Sequence, residues 1–315
     1  MKRKITVIGA GSVGATIAYT AAVKGLASEI VLIDINQEKT LGEAMDIRQG
    51  MPFCSACDIH AGDYEDATGS DIVIITSGVP RKPGQSRIDL TQTNVNIMKD
   101  IASKISKYAK DSLYIIVSNP VDVMAYVFMK VSGVSEDRVI GSGTQLDTAR
   151  LRSKIADTLK VNPTSVNAYV FGEHGDSSFI PWSICEICGM KIEDYATKMT
   201  NNDLVDTKFD KDEIYEYMKT SGGQIIKRKG ATFYAIALSV CSLVEDIFTC
   251  ANTPLVVASM MRGEYGIDDV VLSIPHIVSP KGIVGKITPD LTDEEVAKLQ
   301  NSAKVLKDVI AQMEI

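Results

Sequence analysis

Short runs of apolar residues alternate with helical patterns over the first 140 residues of the chain. Lys4–Gly9, Ile30–Asp34, Asp71–Thr76, Leu113–Ser118 and Val139–Gly141 read as strands. Ser12–Lys24, Gln37–Arg48, Thr91–Ala109 and Val121–Val131 read as helices, with Asn36 capping the second. The strand runs are apolar throughout rather than alternating, as expected of strands covered on both faces. Strand and helix in this order predict an α/β unit, a doubly wound parallel sheet. The pattern changes after Gly141–Thr144. A helix over Thr144–Leu159 leads to β-rich Ser165–Phe171 and Trp182–Ile187, and then to an acidic stretch, Glu193–Tyr217. A long helix is predicted over Gln224–Cys250, antiparallel strands over Leu255–Met261 and Val270–Val278, and a charged helix over Asp293–Met313. The expected organisation is therefore residues 1–142 as one domain and 143–315 as a second, α+β domain. No internal repeats or low-complexity tracts interrupt it.

Composition narrows the function classes. The 315 residues carry 33 Lys+Arg against 40 Asp+Glu, a net charge of −7, and 45% are hydrophobic. An acidic chain argues against a general nucleic-acid binder. The most apolar stretch, Tyr114–Met129, is broken by Asn119, Pro120 and Asp122, so no membrane span is expected. The apolar segment behind Met1–Lys4 is too short for a signal peptide, and a cytoplasmic location is expected. Six cysteines include two C-x-x-C pairs, Cys54/Cys57 and Cys185/Cys188. A four-cysteine zinc site would need the pairs to converge. Buried thiols are the simpler expectation, so no metal is predicted.

Gly9-Ala10-Gly11-Ser12-Val13-Gly14 is a G-x-G-x-x-G motif between a strand and a helix. Gly9 permits the tight turn, Gly11 lets the backbone approach a pyrophosphate, and Gly14 allows close helix–strand packing. The first residues of the helix, Ser12 and Val13, bring unpaired N–H groups and a positive dipole end to the phosphates. Asp34 ends the second strand twenty residues after Gly14, placed to accept from ribose hydroxyls. Its charge would repel a 2′-phosphate, so a Rossmann domain binding NAD is expected in preference to NADP.

Of three histidines, His60 and His276 fall in strands, whereas His174 lies between Gly172 and Gly175 in a turn that would project its imidazole. Asp147 and Arg150, three apart on one helical face, suit an imidazole-orienting carboxylate and a carboxylate-binding fork. The plainer reading of that pair is an exposed ion pair worth about 0.3 kcal/mol.

Ile8–Gly14, Val31–Asp34, Arg81–Leu90, Ser118–Asp122, Gly141–Arg152, Gly172–Ser178 and Lys229–Ile236 together resemble the lactate/malate dehydrogenase superfamily of L-2-hydroxy acid dehydrogenases, over essentially the whole length. The resemblance implies reversible hydride transfer between NADH and a small 2-oxo acid. His174 would be the proton donor and Asp147 its partner. Arg150 would bind the common carboxylate, and Arg87, in a mobile loop, would polarise the carbonyl. Asn119 would lie near nicotinamide and substrate, with Thr232 and Ile236 lining their pockets. A homodimer or homotetramer is also implied.

Arg81, six residues before Arg87, stands where lactate dehydrogenases usually carry Gln. A guanidinium there would pair with the second carboxylate of oxaloacetate. The expected substrate pair is therefore oxaloacetate/malate, with pyruvate/lactate as the alternative. Gly141–Thr144 and Trp182-Ser183 read more like the lactate branch. Arg152 matches the arginine through which many bacterial lactate dehydrogenases bind fructose 1,6-bisphosphate, but the companion histidine position is Asn167, so this activation is not expected. Two other classes compete. A sugar-type nucleotide-dependent oxidoreductase would need a Tyr-x-x-x-Lys pair, which is not suitably placed. A non-catalytic NAD-binding regulator would not need His174, Asp147, Arg150 and Arg87 together.

Overall fold

The computed structural model describes residues 2–80, 86–198 and 209–315, with the side chain of Arg87 outside that description. Its first half runs β1 (Lys4–Ile8), α1 (Ser12–Val23), β2 (Glu29–Ile33), α2 (Gln37–Gln49), β3 (Asp58–Ala61), β4 (Ile72–Ile75), α3 (Arg87–Ile105), β5 (Leu113–Ile116), α4 (Val121–Ser132) and β6 (Val139–Gly141). These strands pair in parallel in the order β3-β2-β1-β4-β5-β6. All four residues of β4 and of β5 are buried, because successive side chains feed opposite layers. Val73 and Ile75 pack with α3 and α4, whereas Ile72 and Ile74 pack with α1 and the later helix that covers it. Order reverses between β1 and β4, which leaves a crevice at their C-terminal ends.

The second half runs α5 (Gln145–Leu159), β7 (Val166–Asn167), β8 (Glu186–Ile187), β9 (Met190–Lys191), α6 (Ile192–Lys198), α7 (Lys211–Lys229), α8 (Tyr234–Thr249), β10 (Leu255–Arg262), β11 (Asp268–Ser279), β12 (Gly282–Lys286) and α9 (Asp293–Ile310). β10, β11 and β12 do not form a sheet of their own. β10 pairs antiparallel with β6, and the result is a single nine-stranded sheet. A Cβ on Gly141 would lie 3.1 Å from Ala258 Cβ, so glycine helps β6 accept this neighbour. β7, β8 and β9 form a small separate sheet packed with α5 and α7.

Several boundaries differ from the sequence reading, two of them for a plain local reason. The long helix expected over Gln224–Cys250 is two helices, broken where Gly230 adopts φ +87. A glycine in the left-handed region stops a helix whatever the flanking pattern. Helix α3 begins at Arg87 rather than Thr91, because the Ser86 side chain accepts from the Asp89 N–H at 3.0 Å and caps it. Among the described residues no helix is long and apolar enough to cross a membrane.

Candidate active site

The turn after β1 opens the site. Gly9 has φ +107, and a Cβ there would sit 2.6 Å from Thr76 Oγ1. A Cβ on Gly14 would lie 1.8 Å from the Gly9 carbonyl oxygen, so α1 packs closer than any side chain allows. Gly11 differs: among the described residues nothing lies within 4 Å of the position its Cβ would take. This open space fronts the N-terminus of α1 at Ser12 and Val13, an end that no side chain caps. Asp34 follows β2. Its Oδ2 accepts from the Ala10 N–H at 2.7 Å and its Oδ1 from the Asn36 N–H at 3.0 Å, which fixes the carboxylate.

Gly9, Gly11 and Asp34 line a cavity of about 700 Å³ together with Ile35, Tyr64 and Ile97. Val13, Asn119, Arg150, His174, Thr232 and Ile236 line a second, of about 610 Å³. Thr76, Gly78 and Val79 line both, so the two form one groove over the crevice between β1 and β4. The groove suits an extended dinucleotide. A carboxylate and apolar side chains stand at one end, a helix N-terminus in the middle, and ionisable groups at the other. The break after Gly230 is what turns Thr232 and Ile236 into its wall.

His174 is held by its backbone and by its ring. Gly172, at φ +95, exchanges hydrogen bonds with Ser273 on β11, and Phe171 does so with Phe179 across the loop. The ring Nδ1 lies 2.5 Å from Asp147 Oδ2, and Asp147 Oδ1 accepts from Arg150 Nη1 at 2.8 Å. Asp147 is 8% exposed and the imidazole 27%. Burial pulls the His174 pKa down, but the charge and hydrogen bond of Asp147, with the charge of Asp122, outweigh it and raise the value above the ordinary one. Burial works the other way on Asp147, where the facing His174 and Arg150 prevail and hold its carboxyl below the usual range. An ionised Asp147 only accepts, so Nδ1 carries a proton and Nε2 is left to exchange one with a ligand.

The structure thus brings together His174, Asp147 and Arg150, with Asn119, Thr232 and Ile236 around the same cavity. Arg81 lies outside the described residues. Arg87 opens α3. His60 and His276 do not line the groove. His60 faces Glu29 at 3.6 Å on β3, and His276 is buried in β11. There its Nδ1–H donates to the Ile274 carbonyl and its Nε2 accepts from Ser259 Oγ, each at 2.7 Å, and burial pushes its pKa down to about 4. Arg152 Nε donates to the Ala168 carbonyl at 2.9 Å, and Asn167 is exposed on β7. Cys185 is buried and its thiol donates to the Pro181 carbonyl. Among the described residues, no three His, Cys, Asp or Glu side chains cluster as metal ligands.

Two residues were missed by sequence reasoning. Asn94, buried in α3, accepts from the Val79 N–H through Oδ1 and donates through Nδ2 to the Asn119 carbonyl, each at 2.9 Å. It ties the loop after β4 to the strand end that carries Asn119. Asp122, in the first turn of α4, accepts the His174 backbone N–H at 2.7 Å. The signal for Asn94 was a polar residue on a mostly apolar helix face, whereas Asp122 closes the Ser118–Asp122 match but had no role assigned to it.

Residues 3–141 match the lactate/malate dehydrogenase NAD binding domain, and residues 144–314 the lactate/malate dehydrogenase alpha/beta C-terminal domain. The chain belongs to the lactate/malate dehydrogenase family. It is an NAD-dependent dehydrogenase, which removes the reading as a non-catalytic regulator. Among its relatives in the family, L-lactate dehydrogenase of Thermoanaerobacter sp. (strain X514) is 44% identical over 315 residues, 99% of each chain. L-lactate dehydrogenase of Clostridium botulinum (strain Hall) is 48% identical over 307 residues, 98% of this chain and 96% of that one. The crystal structure of MGS-M5, a lactate dehydrogenase from a Medee basin deep-sea metagenome library, superposes with a TM-score of 0.94 at 36% identity, covering 99% of this chain and 98% of that one. The minor L-lactate dehydrogenase from Enterococcus mundtii in its ligand-bound form gives 0.93 at 36% identity, covering 100% and 99%. The oxaloacetate/malate preference expected from Arg81 finds no support in these relatives, all named as lactate dehydrogenases. That expectation weighed one loop side chain against a likeness that spans the chain.

Proposed function

We propose that the chain is an L-lactate dehydrogenase, interconverting pyruvate and L-lactate with NAD. One observation carries the chemistry: Asp147 bridges His174 and Arg150 on the wall of a groove that continues to a glycine turn and Asp34. The choice of pyruvate is supported by relatives of that name at 44% and 48% identity over nearly full length.

Gly9, Gly11, Ser12 and Val13 would hold the pyrophosphate on the turn that Gly14 lets pack closely, Asp34 the adenosine ribose, and Asn119 and Ile236 the nicotinamide. When bound, the reduced nicotinamide supplies the hydride for the keto carbon. His174 donates the Nε2 proton to the keto oxygen and takes it back in the reverse direction. Asp147 steadies the imidazolium meanwhile. Arg150 grips the carboxylate as a bidentate fork, Thr232 shapes the substrate pocket, and Arg87 stabilises the developing alkoxide. Reduction needs the imidazolium, so its rate falls as pH rises through the raised His174 pKa. Oxidation needs the neutral ring and fails below that pKa.

Arg81 favours a second reading, oxaloacetate/malate, because a guanidinium at that position would pair with a second carboxylate. We also place the enzyme in the cytoplasm as a homodimer or homotetramer. Its six free cysteines suit a reducing compartment. Self-association is supported by three helices that each expose an i,i+4 apolar pair: Tyr19 and Val23 on α1, Leu41 and Met45 on α2, and Tyr234 and Leu238 on α8. Both α2 and α8 contact α1.

An NADH absorbance assay with a panel of 2-oxo acids tests the chemistry. His174→Asn should keep NADH binding nearly intact and lower turnover by about 10²–10⁴-fold. Retained turnover would remove His174 from the reaction.

A further inference from the structure

Two buried carboxylates address one histidine. Asp147 meets the ring of His174, and Asp122 meets its backbone, accepting the N–H at 2.7 Å through Oδ2. Asp122 is 3% exposed, and its Oδ1 is buried with no hydrogen-bond partner among the described residues. Burying an ionisable carboxyl with half its acceptor capacity unused is costly. A tether for a loop does not require a charge, since a neutral amide oxygen also accepts an N–H. The loop is moreover held elsewhere: the Glu173 N–H donates to Ser302 Oγ at 2.8 Å, and Gly172 is bridged to Ser273.

We propose that Asp122 is a positioning residue for His174, fixing its backbone through Oδ2 and supporting the imidazolium with a second buried negative charge. The inference rests on the reading of His174 as the acid–base group. Asp122 stands in the first turn of α4, three residues after Asn119, which with Ser118 lines the substrate cavity, so it links the cavity wall to the histidine. The ionisable groups around the pair are few. Asp147, Asp122 and Arg150 act on His174, while His174, Glu173 and Asp147 act on Asp122. Burial pushes the Asp122 carboxyl up to about 7, against the pull of the His174 N–H and charge, with Glu173 and Asp147 adding to the rise. The charges on Asp122 and His174 are therefore coupled. An imidazolium favours the carboxylate, and a neutral imidazole favours the acid.

With only three histidines in the chain, nitrogen NMR of histidine-labelled protein can follow His174, assigned by the loss of its signal in His174→Asn. Asp122→Asn keeps an oxygen acceptor and removes the charge. The imidazole pKa should fall by about one pH unit, and the alkaline limb of kcat/KM for 2-oxo acid reduction should move with it. Asp122→Ala also removes the acceptor, and kcat should fall a further tenfold or so at unchanged NADH affinity. An unmoved imidazole pKa in Asp122→Asn overturns the proposal and leaves the reading of His174 untouched. A moved pKa with an unmoved kinetic limb upholds the proposal and overturns that reading instead. Should the alanine variant fail to fold, the isosteric asparagine variant decides alone.

Discussion

At the scale of residues, the site is a problem of keeping charges in place with little water. Asp147 is the central group: one of its oxygens faces His174 and the other Arg150. His174 was legible in the sequence because glycines flank it, a poor setting for a core residue but a suitable one for a projected side chain. The spacing of Asp147 and Arg150 placed them on one face but not against His174, since that contact joins α5 to a distant loop. Asn94 and Asp122 were illegible for the same reason, because the groups they bind lie far away in sequence. Arg81 belongs here too. Replacing it by glutamine removes the charge that a second substrate carboxylate would need. Arg81→Gln should lower kcat/KM for oxaloacetate by about 100-fold and leave the value for pyruvate within about threefold. Steady-state assays on both substrates check this, and equal losses on the two would mean that Arg81 does not read the second carboxylate.

At the scale of elements, glycine does two separate jobs in one turn. Gly14 is required by packing, since a Cβ would lie 1.8 Å from a carbonyl oxygen. Gly11 faces open space where a phosphate would approach. Gly14→Ala should destabilise the fold by about 1–3 kcal/mol, read by thermal or denaturant unfolding. Gly11→Ala should leave stability unchanged and weaken NADH binding by about tenfold or more, equivalent to ~1.4 kcal/mol, read by fluorescence titration. Reversed results would exchange the two roles. Most strands were legible from apolar runs alone, and β6 was placed residue for residue. The break between α7 and α8 was not read, although Lys227-Arg228-Lys229 followed by Gly230 is a helix-stop pattern, because apolar residues on either side suggested one continuous helix.

At the scale of the whole molecule, the sequence reading did not show that β10–β12 extend the first sheet. Antiparallel strands look alike whether they pair with each other or with β6. Nor does one chain distinguish the faces that stay exposed from those that meet a copy. The paired apolar residues on α1, α2 and α8 nonetheless predict a particle of about two or four times the 34.1 kDa chain by analytical ultracentrifugation. Leu238→Asp should shift it toward the monomer, and a wild-type monomer would remove the proposed interface. The central claim, lactate dehydrogenase chemistry, is met most directly by one ratio. kcat/KM for pyruvate should exceed that for oxaloacetate with NADH as reductant; a larger value for oxaloacetate would contradict it and return the enzyme to the reading that Arg81 favours.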